Sequence, residues 1–207
     1  MKMKSIGLVA LLALSVPLQS MAEIVTVKAL ENSTTGGTGA VVTTAFTVGQ
    51  SFTVSVNPLD YWTAGGGLRW SNANGLTGVG SIAASSTPDV SGDDTAALAG
   101  VAAGTVIGTG SFGNHNQGGL AAPFGLLVGA WGNAPSTYFS IGTNFSGVAA
   151  DSALKLYYFD SNNGDNKGSI LADVNVTAVP EPETYAMLLA GLGMLGFMAR
   201  RRRNNQA

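Results

Sequence analysis

Leu156-Tyr157-Tyr158-Phe159-Asp160-Ser161-Asn162-Asn163-Gly164-Asp165-Asn166-Lys167-Gly168-Ser169-Ile170 reads as a strand, a loop dense in oxygen donors, and a second strand. Aromatic and β-branched residues suit the pleated flanks, whereas Asn, Asp and Gly are the residues that turn a chain. The strands predicted on either side are Lys155 to Phe159 and Ser169 to Val176. The same grammar recurs outward from this point. Further strands are expected at Ile24 to Leu30, Val41 to Val48, Ser51 to Val56, Leu68 to Trp70, Phe124 to Trp131 and Thr137 to Ile141. Glu31 to Gly39, Gly49-Gln50, Gly65-Gly66-Gly67 and Gly132-Asn133 supply turns between them. No segment of the middle carries sustained helical periodicity and no repeat is visible, so about eight strands point to an all-β domain, a β-sandwich or jelly roll. Gly75 to Gly113, rich in Gly, Ala, Ser and Thr, reads as a long insertion, with a short helix expected from Asp93 to Val101.

Composition agrees. The chain has 207 residues with Gly 29 and only 11% charged residues, which fits one domain of short strands joined by turns. The net charge is −2, but six of the ten basic residues lie at the ends, Lys2, Lys4 and Arg200 to Arg203. Between them Lys28, Arg69, Lys155 and Lys167 face ten acids from Glu23 to Asp173, an excess that repels a phosphate backbone and argues against nucleic acid as a partner. It is compatible with calcium and with neutral sugars. There is no cysteine, which excludes disulfides, thiolate zinc sites and Cys catalysis, and a single histidine, His115, excludes a multi-His metal site.

Both ends read as targeting segments. Two lysines, an apolar run from Ile6 to Leu18 and the small residues of Ser20-Met21-Ala22 define a signal peptide over 1–22, a signal helix cut by signal peptidase between Ala22 and Glu23. The ectodomain is then 23–178, with 75–113 as its insertion. The sorting or anchor segment is 179–203, and 204–207 is a cytoplasmic tail. Pro180 and Pro182 keep the entry to that segment extended. Tyr185 to Ala199 reads as a short transmembrane helix stopped by arginines that remain cytoplasmic. About 15 residues of helix rise only ~22 Å, short of the roughly 30 Å hydrocarbon core, so the span depends on snorkelling arginines.

Pro180-Glu181-Pro182, a short apolar helix and the cluster Arg200, Arg201, Arg202, Arg203 resemble a PEP-CTERM sorting signal. The resemblance implies an exosortase as partner and a protein held transiently at the inner membrane with its domain in the periplasm. It implies release or attachment at the cell surface or in an extracellular matrix, in the setting of exopolysaccharide and biofilm.

The loop that opened the reading carries the chemistry. Calcium takes six to eight oxygens from carboxylates, amides and backbone carbonyls. Asp160, Asp165 and Asn166 supply side-chain oxygens of that kind, although an ordinary hairpin loop has the same composition. An EF-hand does not fit, because Gly164 is at the fifth loop position and Leu171 at the twelfth. The span from Ile24 to Val176 resembles the calcium-dependent galactose-binding lectin of the Pseudomonas type. The likeness rests on Val27-Lys28-Ala29-Leu30-Glu31-Asn32, Thr47-Val48-Gly49-Gln50-Ser51-Phe52-Thr53-Val54, Tyr61, Arg69-Trp70, Phe124-Gly125-Leu126-Leu127-Val128 and the Asp160 to Ser169 loop. It implies metal ligands at Asp160, Asp165, Asn166 and the carbonyl of Ala64. It also implies contacts to a galactose-type or exopolysaccharide glycan from His115, Gln117, Asp165 and Asn166. The loop here is shorter than the family's, and the 75–113 insertion is not part of the lectin.

Tyr61, Trp62, Trp70 or Trp131 would offer a sugar an aromatic face, against the alternative that they pack in the core. Gly108-Thr109-Gly110-Ser111-Phe112-Gly113 has the dinucleotide spacing, but Asn114 to Gly119 cannot open a helix. The leading expectation is a non-enzymatic, calcium-dependent carbohydrate-binding protein. A structural or adhesive matrix protein is the alternative, and a polysaccharide hydrolase using Asp60 and Asp151 the more remote one.

Overall fold

The second flank of that loop is the spine of the domain. The computed structural model describes residues 20–65, 69–78, 82–83, 101–102, 104–110, 112–132, 136–178 and 182–204. The chain divides into a unit spanning Ser20–Ala178 and a second unit that holds the C-terminal helix. One antiparallel sheet of the first unit is ordered β12 (Asn144–Val148), β3 (Ser51–Val56), β14 (Asn166–Val176), β4 (Trp62–Ala64), β5 (Trp70–Ser71), with β1 (Met21–Lys28) also paired to β14. Ile170, Ala172, Val174 and Val176 of β14 are buried while Leu171, Asp173 and Asn175 between them are partly exposed. That alternation places one face of the strand against the core. One edge of β14 bonds to β1, from Met21 opposite Val176 to Lys28 opposite Ser169. The other edge meets β3 at 172–176 and β4 at 166–168.

Between those two pairings the chain of 57–61 turns away, and the side chain of Asp60 fills the gap. Asp60 is fully buried and its Oδ2 accepts the Leu171 N–H at 2.7 Å. Gly168, at φ 82°, makes the bend just before it, and a Cβ there would lie 3.1 Å from Trp62 Cα and the Tyr61 carbonyl oxygen. Only glycine fits that conformation and that approach.

The second sheet is ordered β11 (Phe139–Ser140), β10 (Leu127–Trp131), β13 (Leu154–Tyr158), β2 (Ala40–Val41). Val27, Phe52, Val54, Trp62, Leu127, Leu154, Leu156, Ile170 and Val174 come from both sheets into a single hydrophobic cluster. The outer face of the second sheet is covered too, since Val128, Ala130, Tyr157 and Phe159 form another cluster with Ala122. β10 is therefore buried on both faces, which explains an apolar run without alternation. Ala122 belongs to a hairpin of β8 (Asn114–Gln117) and β9 (Leu120–Pro123).

The expectation of an all-β domain thus holds as two antiparallel sheets over a shared core, and their pairing does not establish a jelly roll. Several details differ from the sequence reading. Val41 to Val48 is not one strand. Only Ala40–Val41 pairs, because Thr43 and Thr44 turn to bond the Glu23 carboxylate while Val42 and Phe46 dip into the core. The end of the 75–113 segment is part of the domain rather than a pure insertion. β6 (Ile82–Ala83) pairs with β7 (Val106–Ile107), and buried Ile107 packs on Tyr61 and Trp70. The helix expected from Asp93 to Val101 lies outside the described residues except for Val101, which is irregular. Asn114 to Gln117 is a strand, as the rejection of a dinucleotide helix required.

In the other unit, α1 runs Pro182–Asn204. The short helix expected at Tyr185 to Ala199 lies within α1, and no helix among the described residues is long and apolar enough to cross a membrane. The reason is that the helix continues through Arg200 to Arg202, so its apolar part is too short to be a full span.

Candidate functional site

The loop between β13 and β14 is anchored at each end before any ligand is considered. Asp160 N–H donates to Thr34 Oγ1 at 3.1 Å, and that hydroxyl donates to the Asp160 carbonyl at 3.0 Å. Asn163 Nδ2 and Asn166 Nδ2 donate to the carbonyls of Leu30 and Ala29, each at 3.1 Å. The 29–36 turn is thereby laced to the loop, which gives the loop a fixed shape.

Within it Asp160 is buried, and its Oδ1 accepts the Ser161 N–H at 2.6 Å. Burial pushes the Asp160 carboxyl above its ordinary value, the bonds from Ser161, Asn166 and Asn162 pull it part of the way back, and the charge of Asp165 pushes the same way as burial. The phenol of Tyr158 is raised well above its ordinary value by complete burial and by the negative charges of Asp160 and Asp165. A group of acidic oxygens is therefore held where isolated negative charge is unfavourable.

Asn166 sits directly opposite Ala64 in the β14–β4 register and is only 4% exposed, and its Oδ1 has no hydrogen-bond partner. Arg69 Nη1 lies 3.1 Å from the Ala64 carbonyl oxygen and 3.3 Å from Asp165 Oδ2. Gly65, at φ 111°, makes this convergence possible, because a Cβ there would strike Asp165 Oδ2 and crowd Arg69 Nη1 at 2.9 Å. The structure thus gathers all four residues expected to ligate a metal: Asp160 beside Asn166, Asn166 opposite Ala64, and Ala64 joined to Asp165 through Arg69. Among the described residues no group of three or more His, Cys, Asp or Glu is placed to hold a metal ion. The fit for calcium therefore rests on two carboxylates, an amide oxygen and a carbonyl, with the remaining positions open to water or hydroxyls. The orphaned Asn166 Oδ1 is a buried acceptor able to take a hydrogen bond or a cation.

His115 and Gln117 lie on β8 and are tied to the same turn. Gln117 Nε2 donates to the Thr34 carbonyl at 3.0 Å, and His115 Nε2 is 3.2 Å from Gln117 Oε1. Their link to Asp160 runs through Thr34, and the His115 ring stacks on Phe124 at 5.3 Å.

Of the two readings of the aromatic residues, core packing is the one the structure shows. Tyr61, Trp62 and Trp70 are buried, and Trp131 packs edge-on against Phe46 and Phe52. The exposed ring beside the site is Phe112, 55% exposed, with Arg69 Cζ 5.3 Å from its centroid. Phe112 and the cationic role of Arg69 were not singled out in the sequence. Phe112 stands in a glycine-rich stretch whose spacing drew attention instead.

Asp60 and Asp151, the carboxylates available to a hydrolase, both serve the backbone. Asp60 holds Leu171, and Asp151 Oδ1 accepts the Ser152 N–H at 2.6 Å. A groove of about 420 Å³ lies elsewhere, lined by β1 residues such as Glu23 and Lys28 and by Val41 of β2. None of the candidate ligands lines it.

At the N-terminal end β1 begins at Met21, so cleavage between Ala22 and Glu23 would remove two residues from the strand. It would spare the Glu23 carboxylate, which accepts from Thr43 N at 2.9 Å, Thr43 Oγ1 at 2.8 Å and Thr44 N at 2.8 Å. At the other end, Pro180 and Glu181 lie outside the described residues, while Pro182 opens α1 and Arg200 to Arg203 stand in its last turns. Residues 178–203 match the PEP-CTERM protein-sorting motif. The motif implies recognition by an exosortase and an exported protein anchored transiently in the membrane. No curated protein matches the chain.

Proposed function

We propose that this exosortase-sorted protein is a non-enzymatic surface or matrix component whose two-sheet domain binds carbohydrate through calcium at the Asp160–Asn166 loop. The observation that carries the proposal is the buried Asn166 Oδ1, unpartnered beside Asp160, on a residue whose backbone is paired with Ala64. Calcium there would neutralise the Asp160 carboxylate that burial disfavours together with that of Asp165, and would leave positions for a pair of sugar hydroxyls. Asp165, half-exposed, would accept from those hydroxyls, and Phe112 would meet the apolar face of the ring. His115 and Gln117 would act from the neighbouring hairpin. The C-terminal motif supports export, and exopolysaccharide is the class of glycan to test first.

A matrix or adhesion protein that recognises no sugar is the second reading, favoured by one observation. Arg69 already satisfies the Ala64 carbonyl and Asp165 without a metal. Calorimetric titration of the exported protein with calcium, followed by a glycan array with and without chelator, separates the two. Calcium binding that Asp160→Asn with Asp165→Asn removes, and chelator-sensitive sugar binding, support the proposal. A protein that takes up no calcium overturns it in favour of the matrix reading.

A further inference from the structure

We infer that Arg69 is a built-in competitor for the calcium site, holding two of its oxygens in the metal-free protein and leaving them when the ion enters. The inference rests on the calcium reading above and concerns how that site is regulated. Three observations carry it. A single nitrogen, Nη1, donates to both the Ala64 carbonyl and Asp165 Oδ2, so the guanidinium stands on the same oxygen pair the ion would use. Calcium approaches its oxygens to about 2.3–2.6 Å, and a second positive charge cannot stay within hydrogen-bond distance of the same pair without strong repulsion. Arg69 also has somewhere to go, because its side chain is 47% exposed and its Cζ already lies 5.3 Å from the centre of the exposed Phe112 ring. A cation over an aromatic face retains part of the attraction it gives up.

The two states therefore differ by a swing of one side chain. Without metal, Arg69 closes the Asp165–Ala64 pair and cancels one of the two loop charges. With metal, Asp165 turns from the guanidinium to the ion, and Arg69 rests on Phe112 beside any bound sugar. Asp160 and Asn166 take no bond from Arg69, so they remain ready for the ion in both states. This arrangement weakens affinity and sets a threshold concentration below which the loop stays shut.

The test compares calcium dissociation constants of the exported wild-type protein, Arg69→Gln and Lys167→Gln. Lys167 is exposed on β14 next to Asn166 and bonds none of these oxygens, so it controls for the loss of a nearby charge. The expected result is binding about threefold to tenfold tighter in Arg69→Gln, with Lys167→Gln within about twofold of wild type. Binding by Arg69→Gln alone also supports the competitor. Equal or weaker binding by Arg69→Gln, while wild type binds, overturns the competitor and leaves the calcium site standing. Equal tightening by Lys167→Gln overturns it as well, assigning the effect to the general field. If neither wild type nor Arg69→Gln binds calcium, both proposals fall.

Discussion

Replacing Tyr158 with phenylalanine should stabilise the metal-free protein. The Tyr158 ring is fully buried and packs edge-on against Trp62 at 4.6 Å, an arrangement phenylalanine retains. Its hydroxyl has no hydrogen-bond partner, and neither does the buried Oγ of Ser71. Both surround Gly125, where a Cβ would come within 3.1 Å of Tyr158 Oη and 2.9 Å of Ser71 Oγ. A buried hydroxyl left unpaired costs about 1–3 kcal/mol. Deleting one oxygen opens a void of about 10 Å³, which at ~24 cal/mol per Å³ gives back only about 0.2 kcal/mol. The net gain is about 1–3 kcal/mol, and a domain of this length converts that into a rise of roughly 2–12 °C in Tm. Urea unfolding in the presence of chelator, read by tryptophan fluorescence, measures it. Destabilisation by more than about 1 kcal/mol would refute the reasoning, because the hydroxyl must then hold a partner worth more than its desolvation. Ser71→Ala should act in the same direction, and strong non-additivity in the double variant would reveal that the two hydroxyls act as a unit.

Two further predictions concern carboxylates of opposite character. The folded-state pKa of Asp160 is raised, chiefly by burial, so its contribution to stability is full below the unfolded value and falls as pH rises through the folded one. Asp160→Asn should therefore flatten the decline in stability across the carboxylate range while abolishing stabilisation by calcium. Superimposable pH curves for variant and wild type would remove the basis for this. At Glu23 burial alone would raise the pKa, but the bonds from Thr43 and Thr44 outweigh it and hold the carboxyl below its ordinary value. Its contribution is present above the unfolded pKa and is lost as pH falls through the folded one. Glu23→Gln should cost up to about 1 kcal/mol at neutral pH, after allowing for solvent screening, and almost nothing at about pH 3. A cost independent of pH would mean that shape, not charge, matters there.

How far the sequence revealed these features depends on the range of the interaction. Ser51 to Val56 is a strand as read, and Ser169 to Val176 is the C-terminal part of β14, because period-two burial is written locally. Val41 to Val48 has equal β-propensity and fails as a strand because a carboxylate 20 residues away claims its backbone. The β8–β9 hairpin is not legible in the sequence because Asn114-His115-Asn116-Gln117 has no apolar alternation, although Gly118-Gly119 is a known two-residue hairpin turn. At the site, the oxygen-rich loop is legible because its donors are contiguous. The Arg69–Asp165 contact spans 96 residues and leaves no trace in either local pattern. Nor can the sequence decide whether a tryptophan faces a ligand or the core. Trp62 is on a strand paired edge to edge with β14, opposite Gly168, with its ring buried in the core, and that is a fact of register.

The pairing of β1 with β14 brings the first and last residues of the sheet together. Met21 lies opposite Val176, so the chain enters the sheet from its N-terminal segment beside the point where it leaves toward the sorting motif. Asn166 begins the same strand, about 33 Å from Val176 along β14 at ~3.3 Å per residue. The candidate site and the point where the chain leaves the sheet are therefore at opposite ends of one strand. This order also constrains folding. The central strand is the last one made, and β1, β3 and β4 all wait for it, so the sheet closes only after nearly the whole domain is available. Such a chain suits export in an unfolded state, with assembly completed outside. β14 ends at Val176, ahead of the matched motif at 178–203, so the sheet is complete without any residue of that motif.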